Sequence, residues 1–170
     1  MNAAALGPAD IRRLEAAEGW LMLGNPQESL SELDCIAPAF SDHSQVLCMR
    51  WQVSAALRQW DHALEIAARL LGQNPQDPTG WIHRSYALRR SRSGGLQQAW
   101  DALLPAVSKF PRVSIIPYNI ACYAAQLGRL SEAWDWLHRA IEAGEDVAAL
   151  KEMALQDEDL RPIWERVRSI

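Results

Sequence analysis

The sequence predicts an all-α chain in which about four antiparallel helix pairs stack into a solenoid and a short helical segment closes the C-terminal end. Two observations carry that expectation. Small residues recur at a fixed interval: Ser29, Ala63, Ala99 and Ala133 are 34, 36 and 34 residues apart, and the series Ala17, Trp51, Ser85 and Ala121, small at all but Trp51, is spaced 34, 34 and 36. The later repeats also match in part residue for residue, Gln98-Ala99-Trp100-Asp101 against Glu132-Ala133-Trp134-Asp135. A period of this length marks a supersecondary unit that cannot hide its apolar side alone and stacks on its neighbours.

The first pair is expected at 9–23 and 26–37. Its second helix has a legible start, because Asn25-Pro26-Gln27-Glu28 offers an Asn cap, a proline at the first helical position and a Glu placed for a capping box. The second pair falls at 43–57 and 60–72, with Asp42 and Gln45 as its capping residues. The third, at 78–91 and 96–109, starts from Asp77-Pro78 and holds two extra residues at Arg92-Ser93-Gly94-Gly95, which predict a longer, mobile turn. The fourth is expected at 116–127 and 130–143. Pro75 and Pro111 close second helices, since proline has no N–H and drives its predecessor out of the α region. Small residues at the crossings let helix axes approach to about 8–10 Å. Trp20, Trp81, Leu88, Leu103 and Leu137 supply burial around them. Trp51 breaks the pattern by placing a large residue where a small one is due, so the second unit must pack less tightly or shift. The units then run about 10–43, 44–77, 78–113 and 114–147, followed by a cap at 148–170, all within one domain of residues 1–170. Asp146 can cap a short helix in that tail, and Leu160, Ile163 and Trp164 lie on one helical face.

A 34-residue period with a small residue in each helix and a closing proline resembles the tetratricopeptide-repeat (TPR) family, most closely over Tyr118 to Gly128. The stretch from Met153 to Trp164 resembles the segment that ends many small bacterial TPR proteins, which makes a complete array the expectation. The resemblance implies a right-handed superhelix whose first helices line a concave groove for an extended peptide or a partner helix. It therefore implies a non-catalytic protein-binding module, an adaptor or scaffold. A narrower alternative, implied by similar length and repeat number, is a chaperone for type III secretion substrates. The carboxylate clamp of some TPR domains needs Lys and Asn where this chain has Leu14 and Glu18, so that specific function is disfavoured.

Composition narrows the rest. With 49% hydrophobic and 22% charged residues the chain reads as a folded, soluble domain. Its longest apolar runs fall far short of the roughly 20 residues a membrane span needs. The N-terminal stretch lacks Lys or Arg before Arg12 and has no apolar core, so no secretion signal is expected and the cytoplasm is. A net charge of −4 disfavours nucleic acid, whose phosphates call for a basic surface. Cys35, Cys48 and Cys122 read as small buried hydrophobes in a reducing compartment. No cofactor or metal is implied: His43, His62, His83 and His138 sit in different units, and none has another His or a Cys four residues away. Glycine-rich phosphate loops and nucleophile elbows are absent from the sequence, and the acidic run Gln156 to Asp159 reads as a solvated helix start rather than a calcium loop.

Helical geometry then selects the groove residues, those opposite the packed side of each first helix. They are Gln45, Cys48, Gln52 and Ala55 in the second unit, Thr79, Ile82, Tyr86 and Arg89 in the third, and Ile115, Tyr118, Asn119, Cys122 and Ala125 in the fourth. Asn119 sits where ligand-binding TPR members often hydrogen-bond a peptide backbone. The third unit is locally basic, with His83, Arg84, Arg89, Arg90 and Arg92, so an acidic or carboxylate-bearing partner can be met by forked donors, Arg84 and Arg90 among them. The alternative is a solvated helix end complementing its dipole. Arg50 and Arg84 share a repeat position that is normally a buried leucine. Each must reach solvent or meet an acid, with Glu65, Asp101 and Asp135 as the candidate partners.

Overall fold

The structure, a computed structural model, describes residues 5–169; the expectation drawn from Met1 to Ala4 lies outside them. Four helix pairs follow one another: α1 (Pro8–Met22) with α2 (Pro26–Asp34), α3 (Ser44–Ala56) with α4 (Trp60–Gln73), α5 (Pro78–Leu88) with α6 (Leu96–Lys109), and α7 (Ile115–Gln126) with α8 (Leu130–Ala143). A tail of α9 (Val147–Gln156), a 3-10 segment (Glu158–Ile163) and α10 (Trp164–Arg168) completes the chain, and the described residues contain no strand.

The repeated small residues do what the interval predicts. Ala17, Ala63, Ala99, Ala121 and Ala133 have no exposed surface, and neither do Ser29 and Ser85. Serine is tolerated at the first crossing because its hydroxyl donates to the Ala17 carbonyl at 2.7 Å, which satisfies a buried polar group. Trp51 is accommodated by stacking across the units, with its Nε1 left without a hydrogen-bond partner among the described residues. Its indole is 8% exposed and stacks on His83 of α5, with ring centroids 3.8 Å apart and planes 2° from parallel, so the large side chain becomes inter-unit packing. Trp20, expected to be buried, is 37% exposed, because no described element covers that side of α1.

Three boundary expectations are corrected. α2 stops at Asp34, and Pro38–Phe40 forms a 3-10 turn instead of a longer helix. The cap of α3 is His43, which makes no side-chain capping bond, while Asp42 is paired with Arg69. The turn after α5 is tied down rather than loose: Gly95 N–H donates to the Leu88 carbonyl at 3.0 Å and Arg92 N–H to the Asp61 carboxylate at 3.1 Å. The proline expectations hold, since α4 ends two residues before Pro75 and α6 two before Pro111. Pro105 lies inside α6, on its exposed side, where the lost hydrogen bond faces water.

One contact went unseen in the sequence. Gly80, in the first turn of α5, faces the backbone of Leu71 so closely that a Cβ there would lie 2.8 Å from Leu71 N and Cα. Backbone cannot yield as a flexible side chain can, so α4 and α5 can approach only over a glycine. Gly19, inside α1, has nothing within 4 Å of the same position. Gly80→Ala is therefore expected to lower the thermal midpoint by several degrees, and Gly19→Ala to raise stability by about 0.5–1 kcal/mol through helix propensity. Thermal unfolding followed by circular dichroism checks both, and equal effects would refute the close approach.

Candidate partner-binding groove

The candidate groove residues of the second and third units are partly accessible. Gln45 and Gln52 on α3 are exposed, while Cys48, Thr79, Ile82 and Tyr86 are half-buried. Cys48 and Thr79 share a cavity of about 650 Å3 with Phe40, His43, Gln73 and Asp77, set where the start of α3, the end of α4 and the start of α5 meet. Its walls mix an apolar floor with amides and carboxylates. The His43 Nδ1 atom is buried without a hydrogen-bond partner among the described residues.

The groove residues of the fourth unit are brought together but are not open. Tyr118 and Cys122 are each 3% exposed, because the turn at residues 157–159 lies over them. Tyr118 Oη donates to Asp157 Oδ2 at 3.0 Å, the Cys122 thiol points at the same oxygen at 3.5 Å, and Gln126 Nε2 donates to the Asp159 carbonyl at 3.0 Å. Arg89, one unit earlier, grips Asp159 with both terminal nitrogens, Nη2 at 2.6 Å from Oδ1 and Nη1 on Oδ2. This acidic turn is thus not the solvated helix start expected. Asp157 also caps the 3-10 segment through its other oxygen, which accepts from Asp159 N–H at 3.0 Å.

The electrostatics follow from that closure. Burial pushes the Tyr118 hydroxyl up, helped by Cys122 and Asp157, and burial with the Asp157 and Asp159 carboxylates pushes the Cys122 thiol up. Both groups therefore stay protonated and serve as donors. The Arg89 guanidinium is held charged chiefly by its hydrogen bonds to Asp159. Cys122, Asp157 and Asp159 offer ligand atoms within 4.8 Å of one another, a metal-like cluster the sequence spacing hid. Arg89 spans both Asp159 oxygens and neutralises that carboxylate, while Asp157 accepts from the neutral donors Tyr118 Oη and Asp159 N–H.

The remaining basic candidates divide. Arg90 does not face an acid; its guanidinium carbon lies 3.8 Å from the Tyr86 ring centroid and 5.3 Å from that of Trp60. Arg50 meets an acid, but not one of those expected: it donates to Asp34 at 2.9 Å and to the Leu33 carbonyl at 2.8 Å, at the end of the preceding second helix. The residue one repeat after Asp34 is Ala68, so Arg84 inherits no such partner, and it is half-buried with no ion pair among the described residues. Of the proposed acids, Glu65 faces His62 and Asp101 accepts from Gln97. Asn119 is half-buried and makes no side-chain hydrogen bond among the described residues. His83, the third-unit residue one repeat before Asn119, is not among the groove residues that helix faces select; only Trp51 at a small-residue position hinted at its stacked role.

Arg50→Leu should cost more stability than Arg84→Leu in denaturant unfolding, by about 1 kcal/mol, because only Arg50 gives up a charge-assisted hydrogen bond and a carbonyl partner. His83 sets an acid limit. Burial moves its imidazole down from 6.5 to about 4, with Asp77 acting weakly in the other direction. Between those values the unfolded chain takes up the proton and the native chain does not, so stability falls as pH drops through that window. The loss from this group is roughly 3 kcal/mol, and His83→Phe should flatten the pH dependence of the unfolding free energy between pH 6.5 and 4.

No family model matches the sequence, and no curated protein matches it by sequence. Solved structures do match over nearly the whole chain. The thermophilic TPR protein TTC0263 of Thermus thermophilus superposes with a TM-score of 0.68 at 20% identity, covering 95% of this chain and 100% of that one. MamA from Desulfovibrio magneticus RS-1, residues 41 to the end, gives 0.68 at 17% identity with 97% and 96% covered. MamA MSR-1 C2 gives 0.60 at 17% identity with 77% and 74% covered. The described helix pairs, their crossing residues and these superpositions agree: the chain has the tetratricopeptide-repeat fold.

Proposed function

We propose that this chain is a protein-binding module that holds a peptide or partner helix along α3 and α5 without covalent chemistry. The observation that carries the proposal is the pair of exposed amides Gln45 and Gln52 beside half-buried Cys48, Ile82 and Tyr86, with Cys48 also lining the 650 Å3 cavity. Exposed side-chain amides beside half-buried apolar and aromatic groups suit a ligand backbone that needs both donors and acceptors. Asn119, with its amide unengaged at the edge of the closed half, extends the same polar line. Burial, followed by the Asp77 carboxylate, pushes the Cys48 thiol up, which suits a contact residue better than a nucleophile.

The same fold admits the narrower role of a chaperone for secreted substrates, and the two differ in what sits on the groove: a dedicated partner or a segment of a secretion substrate. No helix of the described residues is long and apolar enough to cross a membrane.

A photoreactive amino acid at Gln52 tests the surface, with one at the exposed Leu104 of α6 as its counterpart. In the native host, Gln52 should crosslink a partner that Leu104 does not. Asn119→Ala combined with Gln52→Arg should weaken capture of that partner by roughly tenfold, about 1.4 kcal/mol. Crosslinks from Leu104 alone would move the binding surface to the second helices and end the proposal.

A further inference from the structure

The acidic turn of the tail occupies groove positions, and the way it is held defines a second subsite. We infer that Arg89, Tyr118, Cys122 and Gln126 form a receptor for two carboxylates spaced Asp-x-Asp in a tight turn, and that the chain's own Asp157–Asp159 is its resident, displaceable occupant. The inference rests on the proposal that this face binds partners, and it names the partner chemistry for the half of the face that is covered.

The recognition is visible in the molecule itself. Each carboxylate has its own seat: Asp159 in the Arg89 fork, Asp157 on the Tyr118 hydroxyl and the Cys122 thiol. The Gln126 amide fixes the backbone of the turn by donating to the Asp159 carbonyl at 3.0 Å. These four side chains come from two different units, from α7 and from the end of α5. A bidentate guanidinium and a hydroxyl donor select planar anions at fixed separation rather than negative charge at large. An acidic partner segment with the same spacing presents the same groups.

The tail meets the array mainly through its 3-10 segment, which is the part a competitor has to replace. α9 and α10 pack chiefly on each other and on the 3-10 segment, and the array is contacted mainly by that segment, against α7 and α8. Leu150, Ala154 and Val167 are buried residues of the tail, and Trp164 Nε1 donates to the Ala154 carbonyl at 2.9 Å. These residues share one apolar cluster with α6, α7 and α8, so lifting the tail uncovers Leu160, Ile163 and the surface they seal, and it also releases the acidic latch and the Arg166 cover on Trp134. A competitor that replaces the latch needs apolar residues just after its acids, as the tail has.

Cys122 reports on the tail directly, since its 3% exposure depends on the turn above it. The test uses the full chain with Cys35→Ser, leaving Cys48 as an internal standard in the second unit. Thiol labelling of Cys122 should be slow, and Asp159→Asn should speed it at least tenfold while Cys48 labelling stays unchanged. A synthetic peptide of residues 155–164 should bind the Asp159→Asn chain, as read by fluorescence anisotropy, at least tenfold more tightly than the unaltered chain. The same peptide with asparagine at both aspartate positions should bind neither. Unchanged Cys122 protection, or Cys48 and Cys122 opening together, would make the tail a fixed part of the core and overturn the inference. So would equal binding of the acidic and amide peptides. The labelling outcome does not depend on any Gln52 crosslink, so failure here and failure of the groove proposal are told apart.

Discussion

A hairpin in this chain hides its apolar side only by packing it on the next hairpin, and that constraint organises everything else. The packing works because Ala63, Ala99 and Ala133 leave little side chain between crossing helices, so large neighbours such as Leu103 and Leu137 reach full burial. The fourth hairpin is followed by the tail in place of another hairpin, and the tail covers its apolar side. Leu160 and Ile163 settle on α7 and α8, and they can do so only if the chain turns sharply after α9. Asp157 makes that turn by capping the 3-10 segment, which sets its other oxygen and the neighbouring Asp159 against the first helices. Closing the core and covering the groove are therefore one structural event.

That coupling changes what the groove can offer. Reasoning from helix faces alone treats every first helix alike and assigns Tyr118 and Cys122 the same openness as Gln52. The turn makes them different, because a six-residue 3-10 segment is short enough to set Asp157 on α7, Asp159 against Arg89 at the end of α5, and an apolar pair on α7 and α8. Arg89 spans the step between units, so the covered half is joined electrostatically to the half left open.

Much of this was legible in the sequence, and the rest was hidden for physical reasons. The period, the prolines and the Asn25 cap, whose side chain accepts from Glu28 N–H, are local or strictly repeated features that survive translation into coordinates. Helix limits came out within a few residues for the same reason. The partners of Arg50 and Arg89 were missed because they lie 16 and 70 residues away, where no repeat interval points. Asp42 looked like a cap from spacing, but a charged side chain within reach of Arg69 on the following helix has a competing use. Gly80 carried no signal at all, since one glycine near a helix start is as ordinary in sequence as Gly19 inside α1.

The basic cluster of the third unit is engaged in large part by the chain's own groups. Counted along the chain, it invites an anion. Placed in space, Arg89 is neutralised by Asp159 and Arg90 lies over Tyr86 and Trp60. The same use recurs in later units, where Arg129 lies 5.6 Å from the Trp100 ring and Arg166 4.4 Å from Trp134. Tryptophans that are too large to bury completely gain a flat guanidinium cover, whose weak hydration makes the contact less costly than it would be for lysine. Arginine and tryptophan thus serve one shared purpose in these units, the sealing of their junctions. Of these arginines, Arg89 alone is held by one of the chain's own acids among the described residues, Asp159.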